Sequence, residues 1–213
     1  MQNEEYLSLL RQGVSQWNQW RKENPEIQVD LSNLDLREIS LVQANLSFAN
    51  LQGAILEGAN LSGAILLNSD LRQADCKQAN LNGSNLVSAN AQGAIFTQAK
   101  FMGGTLVDAD FTGASLEETD FSGADLSGAI LKSANLNKAI LCEAKLLRTN
   151  LVKACLTKTD FSLTDLREAD LRGAAVSQAD FSDANCHGAD LSEVDLSSAN
   201  FSRAILPDPT CHL

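Results

Sequence analysis

The sequence predicts an all-β solenoid, a rod of stacked square coils. From Leu31 to Leu206 every fifth residue is non-polar, and most of these residues are large. The pattern continues through 36 consecutive positions without a change of phase, of which 25 are Leu and seven are Phe. Two residues before these positions Ala stands in 25 cases. A period of five matches neither the helix nor the strand repeat. A chain that turns a corner every five residues can keep them all inside, and four sides close a coil of 20 residues.

A 20-residue coil also predicts columns of like residues along the rod. Of the seven Phe residues at these inner positions, five occupy one such column, interrupted by Leu141: Phe101, Phe121, Phe161, Phe181 and Phe201. Aromatic rings one coil apart can stack in an offset arrangement, which stabilises each pair by about 0.5–1.5 kcal/mol beyond burial. Residues 29–208 then make about nine coils, spaced by the usual strand separation of about 4.8 Å.

The five-residue motif itself resembles a known family. The segments Ala59-Asn60-Leu61-Ser62-Gly63 and Ala124-Asp125-Leu126-Ser127-Gly128 are similar to the repeat of the pentapeptide-repeat proteins. The resemblance covers residues 29–208 and implies a right-handed quadrilateral parallel β-helix. The stretch from Trp17 to Leu36 is also similar to the N-termini of cyanobacterial members, most of which lack assigned functions.

The two ends of the chain differ in their predicted caps. Residues 1–28 are expected to form an N-terminal cap with one helix over 4–24, in which Tyr6, Leu10, Trp17 and Trp20 follow helical spacing. At the other end Pro207 and Pro209 stop strand pairing, and residues 209–213 form a short tail. Two alternatives stay open there: the tail suffices as a cap, or the last coil docks against a second copy in a homodimer.

Composition excludes several classes of function. The net charge of -11 argues against general binding to nucleic acid or to anionic membrane lipid. No run of about 18 apolar residues and no leader peptide is visible, so a cytoplasmic location is expected. Five cysteines without a CxxC pair are typical of small apolar fillers in a reducing compartment.

The polar residues of the repeat favour architecture over catalysis. Asp stands just before the inner residue 13 times and Asn 10 times, so the shared side-chain oxygen, which can bond the turn, matters more than the charge. A smooth rod offers no cleft for acid–base chemistry, and Ser127 and Lys132 lie on adjacent sides without an oxyanion hole. Cys211 and His212 give only a weak metal signal. The sequence therefore predicts no enzyme, no cofactor and no metal site.

Two surface features are candidates for binding a protein partner. The first, the apolar strip, is an outward column of Leu67, Val87, Val107 and Leu147, with Ser127 between the last two. The second, the charge border, is the change from an acidic to a basic stretch near Lys132. Its residues are Asp108, Glu117, Glu118, Asp120, Asp125, Lys132, Lys138, Lys145, Arg148, Lys153 and Lys158. Because Asp125 and Lys145 lie one coil apart, as do Lys100 and Asp120, cations are expected to interleave with carboxylates.

Two functions follow from these features. The favoured one is a non-enzymatic solenoid scaffold that mediates protein–protein interaction, with an unknown protein partner. The alternative comes from the resemblance, since some pentapeptide-repeat proteins mimic DNA, bind type II topoisomerases and protect them from quinolones. Net charge favours that alternative, whereas the basic stretch, the unbroken repeat and the absence of a C-terminal helix count against it.

Overall fold

The computed structural model describes residues 3–207. Two short helices, α1 (Asn3–Gln12) and α2 (Val14–Glu23), precede the coils. From Asp30 onward the chain forms parallel β-bridges between residues 20 apart, beginning with Asp30 to Asn50 and ending with Asn185 to Ile205. Over the described range each side of a coil contributes a single bridge residue rather than a longer strand. The sequence prediction of square 20-residue coils is confirmed.

Backbone hydrogen bonds explain why the repeat has its period. The Leu31 N–H donates to the carbonyl of Asn50 one coil later at 2.7 Å, and the Asn50 N–H donates back to the carbonyl of Val29 at 2.8 Å. Within the turn, the Ala44 N–H donates to the carbonyl of Leu41 at 3.0 Å. Each coil therefore satisfies its buried backbone groups through its neighbours, as solenoids require.

The core consists of the inner side chains of all four sides, stacked along the rod. We name the four sides of the coil A, B, C and D. Their first inner residues are Leu31, Leu36, Leu41 and Leu46, respectively. The inner residues from Leu31 to Cys186 are at most 1% exposed. The small residue two positions earlier, usually Ala, is buried beside them, because the corner leaves little room for a larger side chain.

The predicted column of Phe residues lies on side C and stacks. The ring centroids of Phe101 and Phe121 are 4.9 Å apart, and those of Phe161 and Phe181 are 4.7 Å apart. Phe181 and Phe201 repeat the 4.7 Å spacing with an interplanar angle of 2°. Rings on successive coils therefore lie nearly parallel at the spacing of the backbone ladder, which favours offset stacking.

The corners have a left-handed backbone. At the second position after each inner residue, φ lies between 51° and 71° from Asn33 to Arg203, with Ser198 as the departure. Eleven of the 13 glycines stand at these positions, as expected from glycine's freedom at positive φ. Most corners nevertheless hold other residues, among them the large side chains of Phe48 and Leu163. At such corners the coil hydrogen bonds hold the backbone in a conformation that these residues disfavour.

The Asp and Asn residues before the inner positions bind the turn, as predicted. The Oδ1 of Asp125 accepts the N–H of Ser127 at 3.1 Å, and the Oδ1 of Asn60 accepts the N–H of Ser62 at 3.1 Å. Both residue types supply the same oxygen, so the charge is not needed for this bond.

The N-terminal cap departs from the single predicted helix. The helix is interrupted at Gly13, whose φ of 120° is accessible to glycine. The two resulting helices, α1 and α2, pack against each other. Tyr6, Leu10 and Trp17 are buried at the start of the core, and Trp20 is half-buried. The rings of Tyr6 and Trp20 meet edge to face with centroids 5.5 Å apart. The predicted cap residues thus meet at one end of the rod, on two helices.

The last coil is looser than the others. The bridge from Ala175 to position 195 is missing, although the bridges before and after it are formed. Leu196 is only half-buried, and Ile205 and Leu206 are 57% and 55% exposed. Pro207 ends the described chain, so the predicted tail at 209–213 lies outside the described residues.

Candidate protein-binding surfaces

Helix α2 binds the edge of the first coil on side D. The Trp17 Nε1–H donates to the carbonyl of Asn45 at 2.9 Å. The Asn18 side chain accepts the Asn45 N–H at 2.8 Å and donates to the carbonyl of Gln43 at 2.9 Å. These side chains replace the partners that a preceding coil would supply. The helix therefore fixes side D at the N-terminal end.

The apolar strip lies on side D as predicted from its spacing. Leu67, Val87, Val107 and Leu147 all project outward and are half-buried. Ser127 stands between Val107 and Leu147, and its hydroxyl donates to Asp125 at 2.6 Å. The corresponding columns on the other three sides are largely polar or charged. Among the four columns that directly follow the inner residues, the column of side D is therefore the most apolar.

The acidic half of the charge border is held by local hydrogen bonds. The Glu118 carboxylate accepts hydrogen bonds from Gln98 and Lys138, each at 3.0 Å. These bonds hold the pKa of Glu118 below its usual value, Gln98 being the larger cause. Asp120 accepts both the N–H and the hydroxyl of Ser122. The predicted pairing of Asp120 with Lys100 does not form among the described residues, whereas that of Asp125 with Lys145 does.

The basic half of the charge border is divided into paired and unpaired cations. Lys138 pairs with Glu118, Lys145 lies 3.8 Å from Asp125, and Arg148 pairs with Glu168 at 2.7 Å, each one coil away. Lys132, Lys153 and Lys158 are exposed, and none has an ion-pair partner within residues 3–207. The border thus joins neighbouring coils through three ion pairs and leaves three lysines facing solvent.

Sequence reasoning missed a second set of ion pairs. Asp and Arg two residues apart, in the pattern Asp-Leu-Arg, form bidentate contacts across the inner residue. For Arg72 and Asp70 the closest distance is 2.6 Å, and the Arg72 side chain lowers the pKa of Asp70. The same arrangement joins Arg37 to Asp35, Arg167 to Asp165 and Arg172 to Asp170. The recurring tripeptide was a signal that could have predicted them.

Sequence reasoning also missed an exposed aromatic residue beside the cap. Phe48 stands at a corner of side D, where glycine or a polar residue is usual, and is 55% exposed. It lines a groove of 610 Å³ between α2 and the first two coils, together with Arg21, Lys22 and Ile65. The available signal was the Phe itself, the one aromatic residue of the chain at a corner position.

Two of the four described cysteines are packing residues of the core. Cys76 and Cys186 occupy inner positions and are buried, whereas Cys142 and Cys155 are half-buried at outward positions. Burial raises the pKa of the Cys186 thiol to about 12 and also raises that of Cys76. Both inner thiols are therefore protonated and unreactive near neutral pH. Cys211 and His212, the weak metal signal, lie outside the described residues.

The chain belongs to the pentapeptide-repeat family. The family model, described as pentapeptide repeats and matched in eight copies, aligns with residues 27–63, 64–103, 105–141, 144–183 and 169–208. The fold of this family is a right-handed quadrilateral β-helix, to which the coils conform. Pentapeptide-repeat proteins are generally non-enzymatic scaffolds and generally mediate protein interactions. No curated protein matches the chain significantly.

Solved structures of pentapeptide-repeat proteins are similar to the chain over 46% to 91% of its length. HetL, a pentapeptide repeat protein involved in heterocyst differentiation regulation from the cyanobacterium Nostoc sp. strain PCC 7120, is 29% identical, with 91% of this chain and 97% of HetL covered and a TM-score of 0.49. A pentapeptide repeat protein from the thylakoid lumen of Arabidopsis thaliana is 34% identical over 46% of this chain and 68% of that protein, with a TM-score of 0.45. QnrB1, a plasmid-mediated fluoroquinolone resistance protein, is 20% identical over 87% of this chain and 86% of QnrB1, with a TM-score of 0.46.

Residues 3–207 contain neither a membrane-spanning helix nor a metal-binding cluster. Neither helix has the length and apolar character needed to cross a membrane. Within the same residues, no three His, Cys, Asp or Glu side chains are grouped so that they could hold a metal ion.

Proposed function

We propose that the protein is a non-enzymatic scaffold that binds a protein partner along side D. The observation that carries the proposal is the apolar strip of Leu67, Val87, Val107 and Leu147, half-buried side chains in line on a flat outer side. An apolar column along one outer side of a rod is typical of a docking site. The rod holds its backbone rigidly through coil-to-coil hydrogen bonds, so the strip is presented without rearrangement.

A pull-down from native lysate tests the strip. The bait is the full chain, compared with a variant carrying Leu67→Lys and Val107→Lys. The matched control carries Gln92→Lys and Thr112→Lys, which adds the same charge to the equivalent outward column of side A. We expect a bound protein to be lost with the side D variant and retained with the side A control. Recovery of the same proteins by both variants would show that the strip is not the interface.

We propose that the charge border orients the partner along the rod. Lys132, Lys153 and Lys158 are exposed and follow the acidic coils, so the surface changes sign over two coils. Electrostatic complementarity of this kind affects association rate and specificity more than affinity. Replacing the three lysines by Gln should slow association with the captured partner several-fold at low salt and leave dissociation nearly unchanged. Equal association rates for the variant and the wild type would contradict this role.

A homodimer through the C-terminal coil is a second interface that we propose. Its support is the exposure of the apolar side chains of Ile205 and Leu206 in the last coil. Light scattering after gel filtration should give a dimer for the wild type and a monomer for Leu206→Lys. A wild-type monomer at all concentrations would overturn the dimer and leave the scaffold proposal intact.

The alternative function, a DNA mimic that modulates a type II topoisomerase, is favoured by the net charge of -11. A gyrase supercoiling assay separates the two functions. Inhibition or protection from quinolones at micromolar protein would support the mimic, and no effect would exclude it.

A further inference from the structure

The groove of 610 Å³ between α2 and side D combines an apolar and a cationic wall. Phe48 and Ile65, which are 55% and 40% exposed, form the apolar wall on two successive coils. Phe48 has a φ of 58°, a conformation that a large side chain disfavours, whereas glycine stands at eleven other corners of the rod. The fold therefore does not require an aromatic side chain there, which points to a role for its exposed ring.

The cationic wall contains a buried guanidinium that forms no ion pair within residues 3–207. The residue Arg21 is 5% exposed, and its two terminal nitrogens donate to the carbonyl oxygens of Ile27 and Ser47 at 2.9 and 3.0 Å. Its Nε–H has no hydrogen-bond partner among the described residues. Burial lowers the pKa of Arg21, because neutral carbonyls compensate only part of the lost solvation. Lys22, exposed beside it, adds a second positive charge to the groove.

A second groove, of 410 Å³, adjoins the first. It shares Pro25 and Phe48 with the first groove and adds Glu26 and Ile27. The two grooves therefore share the Phe48 ring, and the first contains the cations Arg21 and Lys22, whereas the second contains the carboxylate of Glu26. An extended peptide spans such a surface, because its alternate side chains lie about 6.6–6.8 Å apart on one face.

We propose that this double groove binds an extended peptide segment of a protein partner. A carboxylate of the segment enters the first groove beside Arg21 and Lys22, and a neighbouring apolar side chain packs on Phe48 and Ile65. Glu26 disfavours a carboxylate in the second groove, so the acidic residue of the segment selects the first groove. This inference rests on the proposed scaffold function, since it names the chemistry of a partner on the same side of the rod.

Selection from a phage-displayed library of random heptapeptides on the full-length chain tests the groove. We expect enriched peptides to carry Asp or Glu next to Leu, Ile or Phe. Synthetic fluorescein-labelled copies should bind at least about 10-fold more weakly to Phe48→Gly and to Lys22→Glu than to the wild type in an anisotropy titration. No enrichment of acidic-apolar sequences over the input library would overturn the proposal.

The matched control is Leu163→Gly. Leu163 is also 55% exposed at a left-handed corner, but it lies on side C in a distant coil. Because glycine suits both corners, Phe48→Gly and Leu163→Gly should fold and melt at or above the wild-type temperature. We expect peptide binding to survive Leu163→Gly, and equal loss in both variants would also overturn the proposal.

The groove proposal and the strip proposal can be rejected independently of each other. A variant with Val107→Lys and Leu147→Lys changes the strip far from the groove and should bind the selected peptides like the wild type. Peptide binding that depends on Phe48, without any partner that depends on the strip, would retain the groove and reject the strip. A partner whose binding depends on the strip, together with no selected peptides, would retain the strip and reject the groove.

Discussion

At its N-terminal end the rod meets helix α2, whereas at its C-terminal end the described chain finishes on the last coil itself. At the first end Trp17 and Asn18 supply donors and acceptors to the open edge at Gln43 and Asn45. At the second end the bridge from Ala175 is lost, although the residues in both coils follow the repeat.

The difference shows that the sequence repeat alone does not ensure that a coil forms all its bridges to the next coil. An inner coil has neighbours on both sides, and its hydrogen bonds are formed regardless of which polar residues lie outside. A terminal coil forms its hydrogen bonds only on one side, and there the side chains of another element decide how well it is ordered.

Trp17→Ala should have the largest effect. The side chain is fully buried and its N–H is bonded to Asn45, so we expect a loss of about 3–5 kcal/mol in the free energy of unfolding. Leu196→Ala, in the loose last coil, should cost less than about 2 kcal/mol, because Leu196 is half-buried. Urea denaturation followed by circular dichroism measures both. Equal losses would mean that the two ends are equally ordered.

Asn18→Ala removes the capping hydrogen bonds with less change in packing. It leaves the Asn45 N–H without its acceptor, and we expect a loss of about 1–3 kcal/mol. Gln19→Ala is the control, since the Gln19 side chain bonds only to Glu23 within residues 3–207, and its effect should stay within about 0.5 kcal/mol. If the control matched Asn18→Ala, general loss of helix stability would explain the effect instead of capping.

Amide hydrogen exchange compares a bonded and an unbonded inner residue near the C-terminal end. The Phe181 N–H donates to the carbonyl of Asn200 at 2.7 Å, whereas the Val176 N–H has no backbone acceptor within the described chain. We expect Val176 to exchange at least about 10-fold faster than Phe181, although both side chains are buried. Similar protection of the two amides would show that the last coil closes in solution.

Acid should weaken the ion pairs of the ordered coils more than the contacts of the last coil. The pKa of Asp70 is lowered by Arg72, so this pair stabilises the fold above the ordinary carboxyl pKa of about 4 and loses its contribution as the pH falls through the folded-state value. Asp70→Asn keeps the turn bond and should cost at most about 1 kcal/mol near neutral pH.

The melting temperatures of Asp70→Asn and of the wild type should converge between about pH 7 and pH 2. Asp195→Asn, in the loose coil, should show a smaller difference at every pH, since its pKa is lowered by hydrogen bonds from Ser197 and it has no ion pair within residues 3–207. A pH-independent difference for Asp70→Asn would assign its effect to packing.

The sequence predicted the features that recur in every coil. The inner column, the stacked rings of Phe101 and Phe121 and the turn bond of Asp125 each depend on spacing along one chain, and spacing is visible in the sequence. The break at Gly13 was not predicted, because the apolar spacing of Leu10 and Trp17 continues across it while only the backbone angle changes.

The surfaces were predicted less completely than the core. The positions of Leu67 and Val107 on one side follow from the period of 20, and the structure places them so. The groove beside Arg21 was not predicted, because it forms only where a helix of no fixed period meets the first two coils. Sequence spacing gives the distance between coils but not the angle at which a cap approaches them.

The regular corners also restrict how the gene for such a rod can change in length. Loss of a single residue would turn every later inner side chain toward solvent, since the position of each residue is counted from the coils before it. Loss of five residues would preserve the inner pattern but rotate all later residues by one side, so that the strip would run along two different sides. Only the gain or loss of 20 residues leaves both the interior and each outer surface aligned, and the rod therefore changes length in whole coils.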